Sequence, residues 1–123
     1  MISITREDAA PAIEGDGAEM RTHNLGQYTV AFARLAKGVD LGPALVGLPG
    51  DLCPCPHYGY MIKGRLLMRT ADGDQVYEAG QAFYWAPGHA PMALEDCEYV
   101  DFSPTEAFTH VLDHVRSGAA ATA

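Results

Sequence analysis

Positive charge is scarce in this chain. Lys and Arg number eight against sixteen Asp and Glu, a formal net charge of −8. Nucleic-acid binding needs clustered cations to neutralise phosphates, and eight scattered ones argue against nucleic acid as a partner. An anionic membrane surface is disfavoured on the same ground. No apolar run approaches the roughly 18 residues of a membrane helix, and the N-terminus, Met1-Ile2-Ser3-Ile4-Thr5-Arg6-Glu7-Asp8, lacks the charged-then-apolar pattern of a secretion signal. A cytoplasmic protein is expected. Cysteine is sparse and odd in number, at three. Three thiols build no disulfide framework, and in a reducing cytosol they serve as ligands, reactive thiols or small buried hydrophobes. There is also no internal repeat of solenoid or propeller period.

What is present fits one soluble globular domain. The 123 residues are 48% hydrophobic and 20% charged, enough for one ordinary core and too little for a second. Residues 1–17 are polar and end in Glu14-Gly15-Asp16-Gly17, which suggests a flexible arm or a strand swapped onto a partner. Beyond them the punctuation is regular. Residues 18–23 and 27–35 alternate around a turn at Asn24-Leu25-Gly26, and residues 37–50 form a Gly- and Pro-rich loop bearing one short strand at 44–48. Runs at 58–63 and 65–70 flank Gly64. Asp72-Gly73 marks a hairpin returning through 75–78. Short strands at 82–85, 91–94 and 98–102 complete the series, with Cys97 in a turn. Strands of this length and spacing predict an all-β sandwich or small barrel. A C-terminal helix over 105–118 opens on Ser103-Pro104-Thr105-Glu106, a capping box, with Phe108, Val111, Leu112 and Val115 as its apolar stripe and Gly118 as its stop. Residues 119–123 are expected to be a frayed tail.

The chemistry concentrates in Cys53-Pro54-Cys55-Pro56-His57. In an extended strand, residues i, i+2 and i+4 share a face, so Cys53, Cys55 and His57 would point together while Pro54 and Pro56 stiffen the ribbon. His89, in Ala86-Pro87-Gly88-His89, is the natural fourth donor. Two thiolates and two imidazoles suit Zn²⁺ first and Fe²⁺ second. The competing reading is a rigid turn with buried thiols, a core histidine and a loop histidine. Redox pairing is weaker, since Cys-Pro-Cys lacks the two-residue spacer of thioredoxin-like pairs and no helix N-terminus follows it. In phase with these donors, Gly59, Met61, Phe83 and Trp85 would line the pocket, whereas Tyr58, Tyr60 and Tyr84 would face outward. His110 and His114 lie four apart on the helix and, like His23, read as surface. Glu95, Glu98 and Asp101 read as rim or surface residues, leaving no evident general acid or base.

The stretches Tyr60-Met61-Ile62-Lys63-Gly64-Arg65-Leu66, Asp72-Gly73, residues 78–88 from Glu78-Ala79-Gly80 to Ala86-Pro87-Gly88, and Tyr99-Val100-Asp101-Phe102-Ser103-Pro104 resemble a small single-domain cupin. The resemblance covers residues 18–104. It implies a double-stranded β-helix, or jelly-roll barrel, whose metal ligands come from a His-x-His, Glu, Gly motif and from a second motif with a His after Pro-x-Gly. With Gly64 ending the first motif, its Glu position falls on His57 and its His-x-His near residues 51–53. Gly80 and Gly88 match the second motif, whose His position is Pro91, two residues past His89. The family's three-His, one-Glu set is therefore absent, and a Cys/His set stands in its place. The implied function is a divalent-metal site in an apolar barrel acting on a small organic molecule. The alternative is a non-enzymatic module that binds a small molecule or metal, with structural cysteines. The resemblance also implies a possible homodimer.

Overall fold

The computed structural model describes the backbone of residues 1–122 and the side chains of residues 1–118. Among the described residues nine strands form two antiparallel sheets, followed by one long helix. The strands are β1 (Ala10–Gly15), β2 (Ala18–Leu25), β3 (Tyr28–Leu35), β4 (His57–Lys63), β5 (Arg65–Thr70), β6 (Gly73–Glu78), β7 (Ala82–Trp85), β8 (His89–Ala93) and β9 (Cys97–Pro104), and the helix is α1 (Thr105–Thr122). The larger sheet has the order β1-β2-β3-β9-β4-β7 and the smaller β6-β5-β8. One hydrophobic cluster draws on both sheets and on α1, including Ala31, Met61, Leu66, Met68, Trp85, Tyr99 and Phe108. The expected all-β jelly roll with a C-terminal helix is the observed architecture. No helix among the described residues is long and apolar enough to cross a membrane.

Strand alternation decides what enters the barrel. On β3, Thr29, Ala31, Ala33 and Leu35 are buried, whereas Tyr28 and Arg34 are exposed. β9 lies against it in strict register, pairing Thr29 with Ser103, Ala31 with Asp101, Ala33 with Tyr99 and Leu35 with Cys97. Cys97, Tyr99, Asp101 and Ser103 are consequently all buried on one face. Small residues on β3 leave the room that these side chains occupy. Gly64, at φ +80, turns β4 into β5 where a Cβ would run into the Asp96 backbone.

Several sequence expectations need correction. Residues 10–15 are not a free arm: they pair with β2, and Arg21 donates hydrogen bonds to the carbonyls of Arg6, Glu7 and Ala9 at 3.0 to 3.1 Å. Residues 44–48 do not form a strand. Two 3₁₀ turns, Gly42–Leu45 and Pro49–Asp51, take their place, each with a proline near its start, where a fixed helical φ and a missing N–H cost nothing. Cys97 opens β9 instead of occupying a turn. Ser103 does not cap α1, because its side chain points into the barrel. Gly118 does not end the helix, which continues to Thr122 through alanines, the strongest helix formers. The expected tail at 119–123 is thus helical as far as Thr122, and Ala123 lies outside the described residues.

Candidate metal centre

The site grows from a backbone pairing. Cys53 donates its N–H to the carbonyl of His89 at 2.8 Å, and Gly88 donates to the carbonyl of Cys53 at 2.7 Å. This bridge draws the loop before β4 against the start of β8, so residues 36 apart in sequence sit side by side. His57, first residue of β4, projects inward and brings its Nε2 to 3.6 Å from Cys53 Sγ. The rings of His57 and His89 are 4.9 Å apart at an interplanar angle of 66°. One donor atom each from Cys53, His57 and His89 falls within 4.8 Å of the other two, and all three residues are buried.

Each imidazole is held from behind. His89 Nδ1 lies 2.7 Å from the carbonyl of Ala86, which can only accept, so Nδ1 carries the proton and Nε2 keeps its lone pair. His57 Nδ1 is 2.5 Å from Ser103 Oγ and 3.8 Å from Asp101 Oδ2. Partners of this kind fix tautomer and ring orientation at metal sites. Burial, reinforced by His89, lowers the His57 pKa from 6.5 to about 3, and burial lowers that of His89 as well. Both rings are therefore neutral, the form that ligates. Burial also raises the Cys53 thiol to about 11 and the Asp101 carboxyl to about 8. With His57 unprotonated and Asp101 protonated, their 3.8 Å approach joins two neutral groups and is not an ion pair.

Above the three donors is a cavity of about 70 Å³. Its wall is apolar apart from the donors, Asp101 and Tyr99, and α1 closes it with Phe108, Val111, Leu112 and Val115. Phe108 meets the His57 ring edge-on at 5.7 Å.

Three of the four expected donors converge; Cys55 does not join them. The chain bends at Cys55 instead of staying extended, so parity fails there, and its sulfur lies 3.5 Å from the carbonyl of Pro56. Of the expected pocket wall, only Trp85 reaches the cavity. Gly59 is packed so closely that a Cβ would overlap the Val100 carbonyl and the Phe83 ring. Met61 is wholly buried, and Phe83 stacks on Trp85 with ring centres 3.6 Å apart, behind the cavity wall. His23 and His110 are exposed, while His114 Nε2 lies 2.8 Å from the Val46 carbonyl and ties α1 to the loop. Sequence reasoning missed Asp101 and Ser103. Both are buried in phase with Tyr99 and Cys97, and placing Cys97 on the strand instead of in a turn would have revealed that phase.

No family model matches the chain, and no curated protein does. Solved structures do. An RmlC-like cupin from Shewanella frigidimarina matches with a TM-score of 0.59 at 15% identity, over 82% of this chain and 88% of that one. The chain has the cupin fold. A single-site variant of the Bacillus subtilis oxalate decarboxylase aligns with a TM-score of 0.63 at 18% identity, over 82% of this cupin domain and 28% of the decarboxylase. Ectoine synthase from P. lautus aligns with a TM-score of 0.62 at 13% identity, over 85% of this chain and 78% of that one. Identities this low speak for the fold alone, and the function rests on the site.

Proposed function

We propose that this cupin-fold protein holds one divalent metal through Cys53, His57 and His89 and acts on a small organic molecule in the cavity beside it. The convergence of one thiol and two outward-braced, neutral imidazoles carries the reading. The donor set fits a metal on its chemistry. One sulfur and two nitrogens favour Zn²⁺, with Fe²⁺ second, and three protein ligands are the number found where a coordination position stays open. Bound there, a metal supplies Lewis acidity toward a carbonyl, or toward water. Cys53 contributes the one negative charge once ligated, since a coordinating thiol is deprotonated outright. Ser103 and Asp101 orient His57, the Ala86 carbonyl orients His89, and the α1 stripe keeps bulk water from the donors.

A second reading, storage or sensing of a metal or small ligand without turnover, draws on the small volume and apolar closure of the cavity. It predicts ligand-dependent thermal stabilisation with no product formed. In either case we place the protein in a reducing compartment such as the cytoplasm, consistent with three free, buried cysteines. A homodimer is supported by an exposed band of Tyr58, Tyr60, Ile62, Tyr84 and Phe102 on one sheet face, and light scattering tests it. Elemental analysis of untagged protein, before and after alkylation of its thiols, tests the metal itself. Stoichiometric zinc or iron that alkylation releases is expected; metal-free protein overturns the proposal.

A further inference from the structure

Tyr99 is a buried phenol that the fold itself leaves unused. It sits on β9 between Ala33 of β3 and Met61 of β4. Its ring packs edge-on against Trp85 at 5.2 Å and against Phe83 at 6.2 Å, which fixes its orientation. The residue is 2% exposed and lines the cavity above Cys53, His57 and His89. Among the described residues none hydrogen-bonds its hydroxyl, and the oxygen is not sealed from water as Trp85 Nε1 and Asp101 Oδ1 are. The opening it keeps is toward the cavity that it lines. Burial, with Asp101, Cys97 and Cys53 acting in the same direction, holds the phenol well above its ordinary pKa, so it stays a neutral O–H. Those couplings also put its oxygen within electrostatic reach of Asp101 and of the candidate ligand Cys53. Buried hydroxyls are nearly always paired, so a fixed donor left open on this wall awaits an acceptor from a ligand. The wall that α1 contributes is hydrocarbon and suits an alkyl group.

We propose that Tyr99 is the specificity-determining donor of the cavity, giving its O–H to the carbonyl oxygen of a small ketone, amide or carboxylate whose alkyl part lies under α1. This rests on the proposed function and deepens it by naming the functional group of the ligand. Its own evidence is the unpartnered phenol, which serves a carbonyl oxygen whether or not the ligand carries charge.

The test pairs 2-butanone with 2-methyl-1-butene, which has nearly the same shape and replaces C=O by C=CH₂. Each is titrated by NMR into wild type, Tyr99→Phe and Tyr60→Phe, both zinc-loaded and chelator-treated. Tyr99→Phe keeps the ring packing and removes only the O–H. It should lower the ketone-to-alkene affinity ratio about five-fold, the loss of one hydrogen bond. Tyr60→Phe, at an exposed tyrosine, should leave that ratio unchanged. In chelator-treated protein the carbonyl ¹³C resonance of bound 2-butanone should lie downfield in wild type relative to Tyr99→Phe. An unchanged ratio, an unshifted carbonyl, or no ketone binding, as when ordered water holds the phenol, overturns the inference. Coupling to Tyr99 in protein that takes up no zinc leaves the inference standing and removes the metal; zinc-loaded protein without that coupling does the reverse.

Discussion

Asp101→Asn probes the buried His57–Asp101 pair of the candidate metal centre. Burial lowers His57 from 6.5 to about 3, and burial raises Asp101 from 3.8 to about 8. Their effects on metal-free stability have opposite signs. Between about pH 6.5 and 3 the unfolded state binds a proton at His57 that the native state refuses, so acidification destabilises. Between about pH 8 and 3.8 the native state keeps a proton on Asp101 that the unfolded state has lost, so acidification stabilises. Each group contributes about 1.4 kcal/mol per pH unit inside its window, or about 2 kcal/mol between pH 6.5 and 5. In the wild type the two nearly cancel. In Asp101→Asn the His57 slope stands alone, with His89 adding in the same direction. Urea unfolding of chelator-treated protein at both pH values should show the variant losing about 2 kcal/mol more than the wild type on going from pH 6.5 to 5. Other carboxylates cancel in that difference. Equal pH responses would refute the reasoning, because they would mean that Asp101 is ionised in the native state.

Further expectations follow from individual contacts. Ser103→Ala removes the nearest partner of His57 Nδ1 and should weaken metal affinity about 10- to 100-fold in chelator competition, with little change in fold. Gly59→Ala drives a methyl into the Val100 carbonyl and the Phe83 ring and should cost about 1–3 kcal/mol in urea unfolding. His114→Ala breaks the tie between α1 and Val46 and should cost about 1 kcal/mol, visible as a small drop in unfolding temperature with metal content unchanged.

The strand order and the inward histidine were legible because alternation and glycine punctuation are local. Tyr58, Tyr60 and Tyr84 were placed outward by parity, and they are exposed. The same rule failed at Cys55, where prolines on both sides stiffened the chain without keeping it extended. Cys53 and His57 still meet, because backbone bonds to residues 88 and 89 reposition Cys53 independently of strand parity. Asp101 and Ser103 escaped notice because a carboxylate and a hydroxyl look like surface until a partner strand supplies small buried residues opposite, Ala31 and Thr29. Nothing within residues 97–104 states that Ala31 lies across from Asp101; that pairing spans 70 residues. The capping pattern at Ser103 misled because the same hydroxyl suits a helix start or a histidine, and burial in the barrel settled the competition for the histidine.

X-ray absorption at the metal edge of zinc-reconstituted protein tests the centre most directly. The arrangement of Cys53, His57 and His89 predicts one sulfur at about 2.3 Å and two imidazole nitrogens at about 2.0 to 2.1 Å, with Cys55→Ala leaving the spectrum unchanged and Cys53→Ala erasing the sulfur shell. Two sulfurs in the wild type, or a sulfur shell that survives Cys53→Ala, would contradict it.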